Sequence, residues 1–282
     1  MIHAVDPGVR RRLRRRLRVG VALTLLATGV ASAQASGSRS NPASASGASG
    51  CPAYGVVDTR GSGETVMRPS LPGGPVLREL RLRHPGTRVA IFYNPYPAVG
   101  LPDSLKLSEW RQVLNALGAG AHIGPVGAYN ASVVDGGNWL RSFIPQQIRQ
   151  CPSTKLVLVG YSQGAQATGD VYQHYLSAHD RSHIKAVLLF GDPYFNPKDG
   201  HADRGTYSHS RAGSLGIRPL FQGNEPVESD CHTHDPICNL WKTSLSRSST
   251  LGLAEAIYGI VAWGFTQHEN YQSDATAEAS TL

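Results

Sequence analysis

The chain has 282 residues, of which 40% are hydrophobic and 17% charged. This composition is ordinary for a large globular domain and excludes a disordered chain, a collagen and a coiled coil. The formal charge of +7 would suit a nucleic-acid binder if it were spread over the fold. Seven arginines between residues 10 and 18, offset by Asp6, account for +6 of it. The remainder has 20 basic and 19 acidic residues, so no nucleic-acid partner is predicted.

The first 35 residues have the layout of an export signal. After the arginines comes an apolar run over residues 19–30 (VGVALTLLATGV), followed by small residues around Ala31-Ser32-Ala33. These are the n-region, the h-region and the cleavage pattern of a secretory signal peptide. The run is shorter than the roughly 20 residues that a membrane-spanning helix needs. Residues 1–35 are therefore predicted to be a cleaved signal peptide that leaves no transmembrane anchor, by a Sec or a twin-arginine route.

A polar segment separates this signal from the rest of the chain. Residues 36–50 (SGSRSNPASASGASG) are too small and polar to bury a core and are interpreted as a Ser/Gly/Ala-rich linker. Residues 51–282 are predicted to be the folded domain. The product is expected to be a secreted, extracellular monomer, and the sequence leaves association with the cell envelope open.

All four cysteines lie in this exported part, at Cys51, Cys151, Cys231 and Cys238. An even number in an oxidising compartment favours two disulfides. Of the three possible pairings, we favour Cys51 with Cys151 and Cys231 with Cys238. The alternative for the second pair is a zinc site with His232 and His234, although no CxxC spacing supports it.

Short β-rich runs alternate with helical stretches along the domain. Strands are predicted over residues 54–58, 88–93, 155–159 and 184–190, and helices over residues 76–84, 129–150 and after Ser162. The later strands are unbroken apolar runs, which are typical of strands covered on both faces. The alternation predicts a three-layer α/β/α sandwich with a central, mainly parallel sheet. Residues 196–224 are predicted to be a long surface loop, and the apolar stretch 251–263 could form a helix.

The most informative motif is Gly160-Tyr161-Ser162-Gln163-Gly164, a GxSxG between an apolar strand and a helical pattern. This is the sequence context of a nucleophile elbow, in which the serine lies at a sharp turn and the glycines allow close backbone packing. A serine hydroxyl becomes a good nucleophile when an imidazole lies within hydrogen-bond reach and a carboxylate holds that imidazole. Ser162 is therefore predicted to be a catalytic nucleophile.

Further short motifs accompany the elbow: Thr59-Arg60-Gly61-Ser62, Tyr96-Pro97-Ala98, Phe190-Gly191-Asp192-Pro193, Asp235-Pro236-Ile237-Cys238 and His268-Glu269-Asn270-Tyr271. Together with GYSQG, they make residues 51–271 resemble the cutinase family of secreted serine esterases. The resemblance implies the compact α/β-hydrolase fold of that family. It also implies a triad of Ser162, Asp235 and His268, in the chain order that the fold requires.

The resemblance implies an oxyanion hole as well, formed by the backbone N–H of Gln163 and by Ser62. The family's acid lies in a short disulfide loop in a DxxC arrangement, which Asp235 and Cys238 match. The family commonly has glycine before this aspartate, whereas this chain has His234, so the local turn is open to change.

Other residues compete for these roles. His201, His232 and His234 are alternative bases, and Ser62 could serve only its glycine-flanked turn. Asp192 follows a predicted strand, but its Asp-Pro pairing is typical of a turn, so it is interpreted as structural.

The sequence and the resemblance together predict a carboxylic ester hydrolase that acts through an acyl-enzyme on cutin-like polyesters or on short to medium acyl esters. Its partner would be the ester substrate, and no metal or organic cofactor is predicted, because the scheme requires none. The apolar segments 96–101 and 251–263 suggest an acyl chain. One alternative is a lipase or phospholipase that acts on envelope lipids. Another is a non-catalytic secreted binding protein with the same fold.

Overall fold

The computed structural model describes residues 50–100, 124–247 and 249–282. The predicted signal peptide (residues 1–35) and all but the last residue of the predicted linker lie outside the described residues, as does Leu101. None of the helices in the described parts of the chain is long and apolar enough to cross a membrane.

The elements of the described residues run in the following order: β1 (Tyr54–Thr59), α1 (Gly73–Arg83), β2 (Val89–Tyr93), α2 (Gly124–Gln150), β3 (Lys155–Tyr161), α3 (Gln163–His174), α4 (Ala178–Ser182), β4 (Ile184–Phe190), β5 (Asp203–Arg204), β6 (Arg211–Ala212), β7 (Val227–Asp230), β8 (Trp241–Lys242), α5 (Thr250–Trp263) and α6 (Gln272–Ala279). The four long strands and the main helices fall where the sequence predicts them. The predicted loop over residues 196–224 contains β5 and β6. Two-residue strands are too short to show a hydrophobic period, which is why no sequence pattern predicts them.

Six of these strands form one sheet in the order β2-β1-β3-β4-β7-β5, and every pairing in it is parallel. The predicted mainly parallel sheet is thus confirmed. The chain passes from β1 to β2 on one side and then crosses to β3 on the other. The loops at the carboxyl ends of β1 and β3 therefore diverge and open a crevice, which is where parallel α/β sheets bind ligands.

Both faces of the sheet are buried, which explains the unbroken apolar runs. Alternate side chains, such as Val57, Leu156 and Leu158, pack with α2 and α3 on one face. Their neighbours, such as Val157 and Val159, pack with α1 and α6 on the other. Each fully buried Val or Leu side chain contributes about 1.5–3 kcal/mol. The three-layer α/β/α architecture follows from this alternation.

Both predicted disulfides are present. Cys51–Cys151 joins the segments that precede the adjacent strands β1 and β3, with its Cα atoms 5.4 Å apart. For a loop of this length, the chain-entropy model gives a stabilisation of the fold of about 4.7 kcal/mol. Cys231–Cys238 closes a short loop after β7. This second disulfide uses both sulfur atoms that the zinc alternative requires, so that alternative is wrong.

The edge strand β5 carries the buried carboxylate of Asp203, whose ionisation destabilises the fold by an amount that depends on pH. Burial, together with the nearby charge of Asp199, raises the pKa of Asp203 to about 8. A pKa above that of the unfolded chain means that ionisation destabilises the fold as the pH rises between about 4 and 8. We expect Asp203→Asn to raise Tm by about 2–4 °C at pH 9, roughly 1 kcal/mol for a domain of this size, and to have a smaller effect at pH 5.

The measurement is thermal unfolding of both proteins at the two pH values. Asp135→Asn on the exposed surface of α2 is the matched control, because it removes the same charge without burial. A gain in Tm at pH 5 equal to that at pH 9 would contradict the electrostatic explanation.

Candidate active site

Ser162 lies in a strained turn between β3 and α3. Its backbone has φ 53° and ψ −118°, a conformation that a non-glycine residue rarely adopts. The Ser162 N–H donates to the carbonyl of Phe190 at 2.8 Å, which ties the turn to the end of β4. A Cβ on Gly164 would collide with the carbonyl oxygen of Thr59 and lie 2.6 Å from that of Arg60. The turn therefore has the close packing that a nucleophile elbow requires.

Asp235 and His268 form a buried hydrogen-bonded pair. His268 Nδ1 lies 2.9 Å from Asp235 Oδ2, and the carboxylate is fully inaccessible to solvent. Asp235 Oδ1 accepts from the Ile237 N–H at 2.7 Å, and Oδ2 also accepts from the Tyr271 hydroxyl at 2.6 Å. Both carboxylate oxygens are thus satisfied, which is what a buried charge requires.

The charge state of Asp235 follows from two opposed effects. Burial by itself raises the pKa of Asp235. The charge and hydrogen bond of His268, with the hydrogen bonds from Tyr271 and Ile237, lower this pKa by more than burial raises it. The net result is a pKa below the ordinary value of 3.8. Asp235 therefore stays ionised at neutral pH, as a carboxylate that holds an imidazole must.

The His268 ring is seated against the strand ends that carry Ser162. It stacks on the Tyr161 ring with centroids 5.1 Å apart, and the Tyr161 hydroxyl donates to the His268 carbonyl at 2.9 Å. It also packs directly on Gly191, where a Cβ would lie 2.6 Å from His268 Cε1. No hydrogen bond joins Ser162 to His268 within the described residues. In enzymes without substrate this bond is often long.

The short disulfide loop supplies Asp235 in a fixed turn. Cys231 and Cys238 flank it, and the residue before Asp235 is His234, with φ 68°. This is the left-handed conformation that glycine favours. His234 is thus a non-glycine residue in the conformation that glycine favours, at the position where the family commonly has glycine.

The loop after β1 packs against the elbow. A Cβ on Gly61 would lie 3.4 Å from the Ser162 Cβ, so the residue before Ser62 packs against the elbow. Ser62 is exposed, and its hydroxyl has no hydrogen-bond partner among residues 50–100, 124–247 and 249–282. The predicted oxyanion role of Ser62 requires a hydroxyl that is not already engaged by the fold, and this one meets that requirement among the described residues.

Gln163 has a backbone N–H without a partner in its helix and a side chain that is hydrogen-bonded. It is the first residue of α3, so its N–H has no partner within the helix. Its side chain is fully buried, with Nε2 donating to the Val99 carbonyl at 3.1 Å and Oε1 accepting from the Ser132 hydroxyl at 3.3 Å. The side chain thereby fixes the start of α3.

Glu64 holds the loop after β1 in its shape. Its Oε2 accepts from the Gly61 N–H at 2.6 Å, and its Oε1 accepts from the Leu71 N–H at 2.8 Å. Burial raises the pKa of Glu64, opposed by these hydrogen bonds and by the charges of Arg60 and His268. The carboxylate therefore spans the base of the loop that carries Ser62, within electrostatic reach of His268.

We expect Glu64→Gln to lower kcat/KM about ten-fold, because the amide offers one acceptor for two N–H groups and leaves one of them unpaired. The measurement is steady-state hydrolysis of a p-nitrophenyl ester. Glu79→Gln is the control, since it removes the same charge from an ion pair with Arg83 on α1. Equal activity of the two variants would show that Glu64 does not set the loop geometry.

The three histidines that were alternative bases have other contacts. His201 Nε2 bonds the Glu225 carbonyl at 2.6 Å, and His232 Nε2 lies 3.1 Å from Asp274 Oδ2. The exposed His234 contacts the Trp263 ring. His268 is the histidine whose ring bonds Asp235.

Asp192 belongs to a separate buried ion pair. Its Oδ2 lies 3.0 Å from Arg218 Nε, and both side chains are almost completely buried. Arg218 Nη1 also bonds Asp170 of α3 at 2.5 Å. This cluster ties the loop after β4 to the helix that follows the nucleophile, which agrees with the structural interpretation of Asp192.

Sequence reasoning missed two residues of the site. Glu64 stands two residues after Ser62 in the same motif region, but nothing in the sequence says that its carboxylate turns back onto the loop. Tyr271 is the last residue of the HENY motif, and the His-x-x-Tyr spacing was its only signal. Both act through hydrogen bonds whose donor and acceptor are brought together by the folded structure.

The sequence model of the family described as Cutinase matches residues 50–281. The chain belongs to the cutinase family. The match covers the whole described domain, including the elbow, the disulfide loop and His268.

Curated relatives in the family align over shorter stretches. A cutinase of Blumeria hordei is 55% identical over 49 residues, which are 17% of this chain and 20% of the relative. Acetylxylan esterase 2 of Talaromyces purpureogenus is 33% identical over 127 residues, 39% of this chain and 53% of the relative. A probable carboxylesterase, Culp3, of Mycobacterium tuberculosis is 34% identical over 116 residues, 38% of each chain. The chain therefore spans about half or less of the length of these curated relatives.

Solved structures share the fold of this family member. The catalytic core domain of acetyl xylan esterase from Trichoderma reesei superposes with a TM-score of 0.53 at 23% identity, covering 82% of this chain and 98% of that one. A cutinase-like protein from Cryptococcus sp. gives a TM-score of 0.51 at 18% identity, covering 82% and 93%. At these identities the likeness concerns the fold alone.

Proposed function

We propose that this chain is a serine esterase that hydrolyses carboxylic ester bonds with a triad of Ser162, His268 and Asp235. The observation that carries the proposal is the buried 2.9 Å bond between His268 Nδ1 and Asp235 Oδ2, with the His268 ring stacked on Tyr161, the residue before the strained Ser162. Membership in the cutinase family supports the reaction class. The chain order of the three residues is the one that α/β-hydrolases use.

In the proposed reaction, His268 Nε2 removes the hydroxyl proton of Ser162 as its Oγ attacks the ester carbonyl carbon. Asp235 holds Nδ1–H and stabilises the imidazolium. When the C–O bond breaks, the leaving alcohol takes the proton from His268 and the acyl group remains on Ser162. Water then attacks the acyl carbonyl carbon as His268 Nε2 takes its proton, the bond from Ser162 Oγ to that carbon breaks, and Ser162 Oγ takes the proton back from His268 as the acid leaves. The scheme uses no metal or organic cofactor.

The oxyanion of each tetrahedral intermediate would be bound by the Gln163 N–H and by Ser62. Such donors are already oriented before the charge develops, so binding requires little reorganisation. Each is worth about 2.7–4 kcal/mol of barrier in acyl-transfer enzymes. The free N–H at the start of α3 and the exposed hydroxyl in the loop after β1 support this assignment.

A second candidate function, a lipase or phospholipase, is favoured by the surface of α5. Leu251, Tyr258 and Val261 are each more than half exposed and follow one another at helical spacing on one face. The helix leads directly to His268, and its Trp263 contacts His234 beside the triad acid. An apolar helix face of this kind suits long acyl chains, so acyl-chain length separates the two candidates.

The test uses the chain from residue 36 with both disulfides formed, p-nitrophenyl esters from acetate to palmitate, and a serine-reactive phosphonate. We expect hydrolysis, with phosphonate attached to Ser162 by mass spectrometry. An optimum at short to medium chains supports the cutinase-type esterase, and one at long chains supports the lipase. No hydrolysis and no labelling would overturn the enzyme assignment in favour of a secreted binding protein.

We also propose that residues 1–35 are a signal peptide, that residues 36–50 are a linker, and that residues 51–282 act as an exported monomer. The two disulfides support an oxidising compartment. N-terminal sequencing of the protein from medium and from the envelope fraction tests both the cleavage site and the location. Recovery with residues 1–35 intact in the cytoplasm would contradict the proposal.

A further inference from the structure

The hydroxyl of Tyr271 lies on the catalytic carboxylate. It donates to Asp235 Oδ2 at 2.6 Å, the same oxygen that lies 2.9 Å from His268 Nδ1. Tyr271 is completely buried, so water cannot take its place. One carboxylate oxygen thus receives two hydrogen bonds, one from the proposed base and one from the tyrosine.

The direction of the hydroxyl proton is fixed by its surroundings. The His232 backbone N–H donates to the Tyr271 oxygen at 3.3 Å, so the oxygen is already used as an acceptor on that side. The disulfide sulfur of Cys238 lies 3.3 Å away. A phenol has one proton, and Asp235 is the buried anion within its reach. The hydrogen bond therefore runs from Tyr271 to Asp235.

The Tyr271 ring is itself held in place. The His232 ring stacks on it with centroids 4.4 Å apart and planes at 17°. The His232 ring is in turn fixed by Asp274 Oδ2 on Nε2 at 3.1 Å and by the Gln267 carbonyl on Nδ1 at 3.2 Å. On its edges Tyr271 meets Phe190 and Tyr161 at the ends of β4 and β3. The hydroxyl consequently has little freedom to move relative to the strand ends.

We propose that Tyr271 is a positioning residue, which sets the orientation and the charge distribution of Asp235 and acts on the reaction through it. This inference rests on the proposed triad. With two donors on Oδ2, the carboxylate cannot rotate without breaking a buried hydrogen bond. The tyrosine also shares the negative charge that His268 would otherwise receive alone, which moderates how firmly the imidazolium holds its proton.

The test is Tyr271→Phe, which keeps the stacked ring and removes the hydroxyl. We expect kcat for a p-nitrophenyl ester to fall about ten-fold with KM unchanged, because the carboxylate is less well oriented in the transition state. We also expect the acid side of the kcat/KM profile to move to higher pH by about half a unit, because Oδ2 then gives its undivided charge to His268. Thermal unfolding reports whether the variant folds.

Tyr172→Phe is the matched control, since Tyr172 is equally buried but lies in α3. We expect it to leave kcat and the pH profile unchanged. A double-mutant cycle with Asp235→Asn separates a role through the carboxylate from a general packing role. In the Asp235→Asn background, Tyr271→Phe should cost less than about two-fold, because the interaction that it removes is already altered.

The outcomes are distinct. If wild-type hydrolysis does not depend on Ser162, the proposed function fails and this inference fails with it. If hydrolysis depends on Ser162 but Tyr271→Phe leaves kcat and the pH profile unchanged, only the positioning role is overturned. An equal loss in both Asp235 backgrounds also overturns it. If Tyr271→Phe does not fold, fluorotyrosine at position 271 keeps the ring and makes its hydroxyl a stronger donor to Asp235. The acid side of the kcat/KM profile should then move to lower pH, and an unmoved profile overturns the positioning role.

Discussion

Replacing Ser162 by alanine is expected to lower kcat by about 10⁶-fold, and replacing His268 by alanine should cost about as much. The reason is that the two residues act as one unit: without the hydroxyl there is no attacking oxygen, and without the imidazole there is no acceptor for its proton. The double variant should therefore be no worse than either single one. The measurement is kcat for a p-nitrophenyl ester at enzyme concentrations high enough to detect the residual rate.

The fold should survive both changes, which gives the experiment its control. Ser162→Ala removes a partly exposed hydroxyl and keeps the backbone bond to the Phe190 carbonyl. Phosphonate labelling should be lost in Ser162→Ala and strongly slowed in His268→Ala, while thermal unfolding changes little. A Ser162→Ala variant with more than a hundredth of wild-type kcat would require another nucleophile and would remove the basis of the triad.

The sheet and the elbow could be predicted because their signals are local. Apolar runs such as residues 155–159 and 184–190 report burial on both faces, and GxSxG marks the turn between a strand and a helix. The structure has β3 and β4 at these positions and Ser162 in the strained conformation. Chain order together with the family resemblance singled out His268 among eleven histidines, and its ring is the one that bonds Asp235.

What escaped prediction depends on the three-dimensional arrangement of the chain. The helix α6 has a polar sequence, QSDATAEA, and only Ala275 and Ala279 meet the core. Glu64 and Tyr271 gained their roles from hydrogen bonds to Gly61 and Asp235, which no spacing rule specifies. His234 shows the opposite case, since a side chain that argues against a glycine-type turn is held in that turn. The disulfide loop outweighs the local preference of the residue.

The second large prediction concerns Asp235→Asn, because Asp235 lies in the same disulfide loop. We expect kcat to fall about 10⁴-fold, because an amide can present N–H to His268 Nδ1 and favour the tautomer with its proton on Nε2. That tautomer cannot accept the proton of Ser162. KM should change little, since Asp235 is fully buried and does not face the crevice.

Asp230→Asn on β7 is the matched control, because it makes the same change in a buried carboxylate that is not hydrogen-bonded to His268 in the described part of the chain. Burial raises the pKa of Asp230. Asp230→Asn should keep nearly full kcat.

Stability should separate the two sites as well. Asp235 has a lowered pKa, so its ionised form stabilises the fold above about pH 4 and this contribution is lost as the pH falls through its folded-state value. Asp235→Asn should therefore lower Tm at pH 7 and have less effect at pH 3, whereas Asp230→Asn should raise Tm at pH 7. If Asp235→Asn kept wild-type kcat, the 2.9 Å pair with His268 would be a structural contact and the catalytic acid would have to be sought elsewhere.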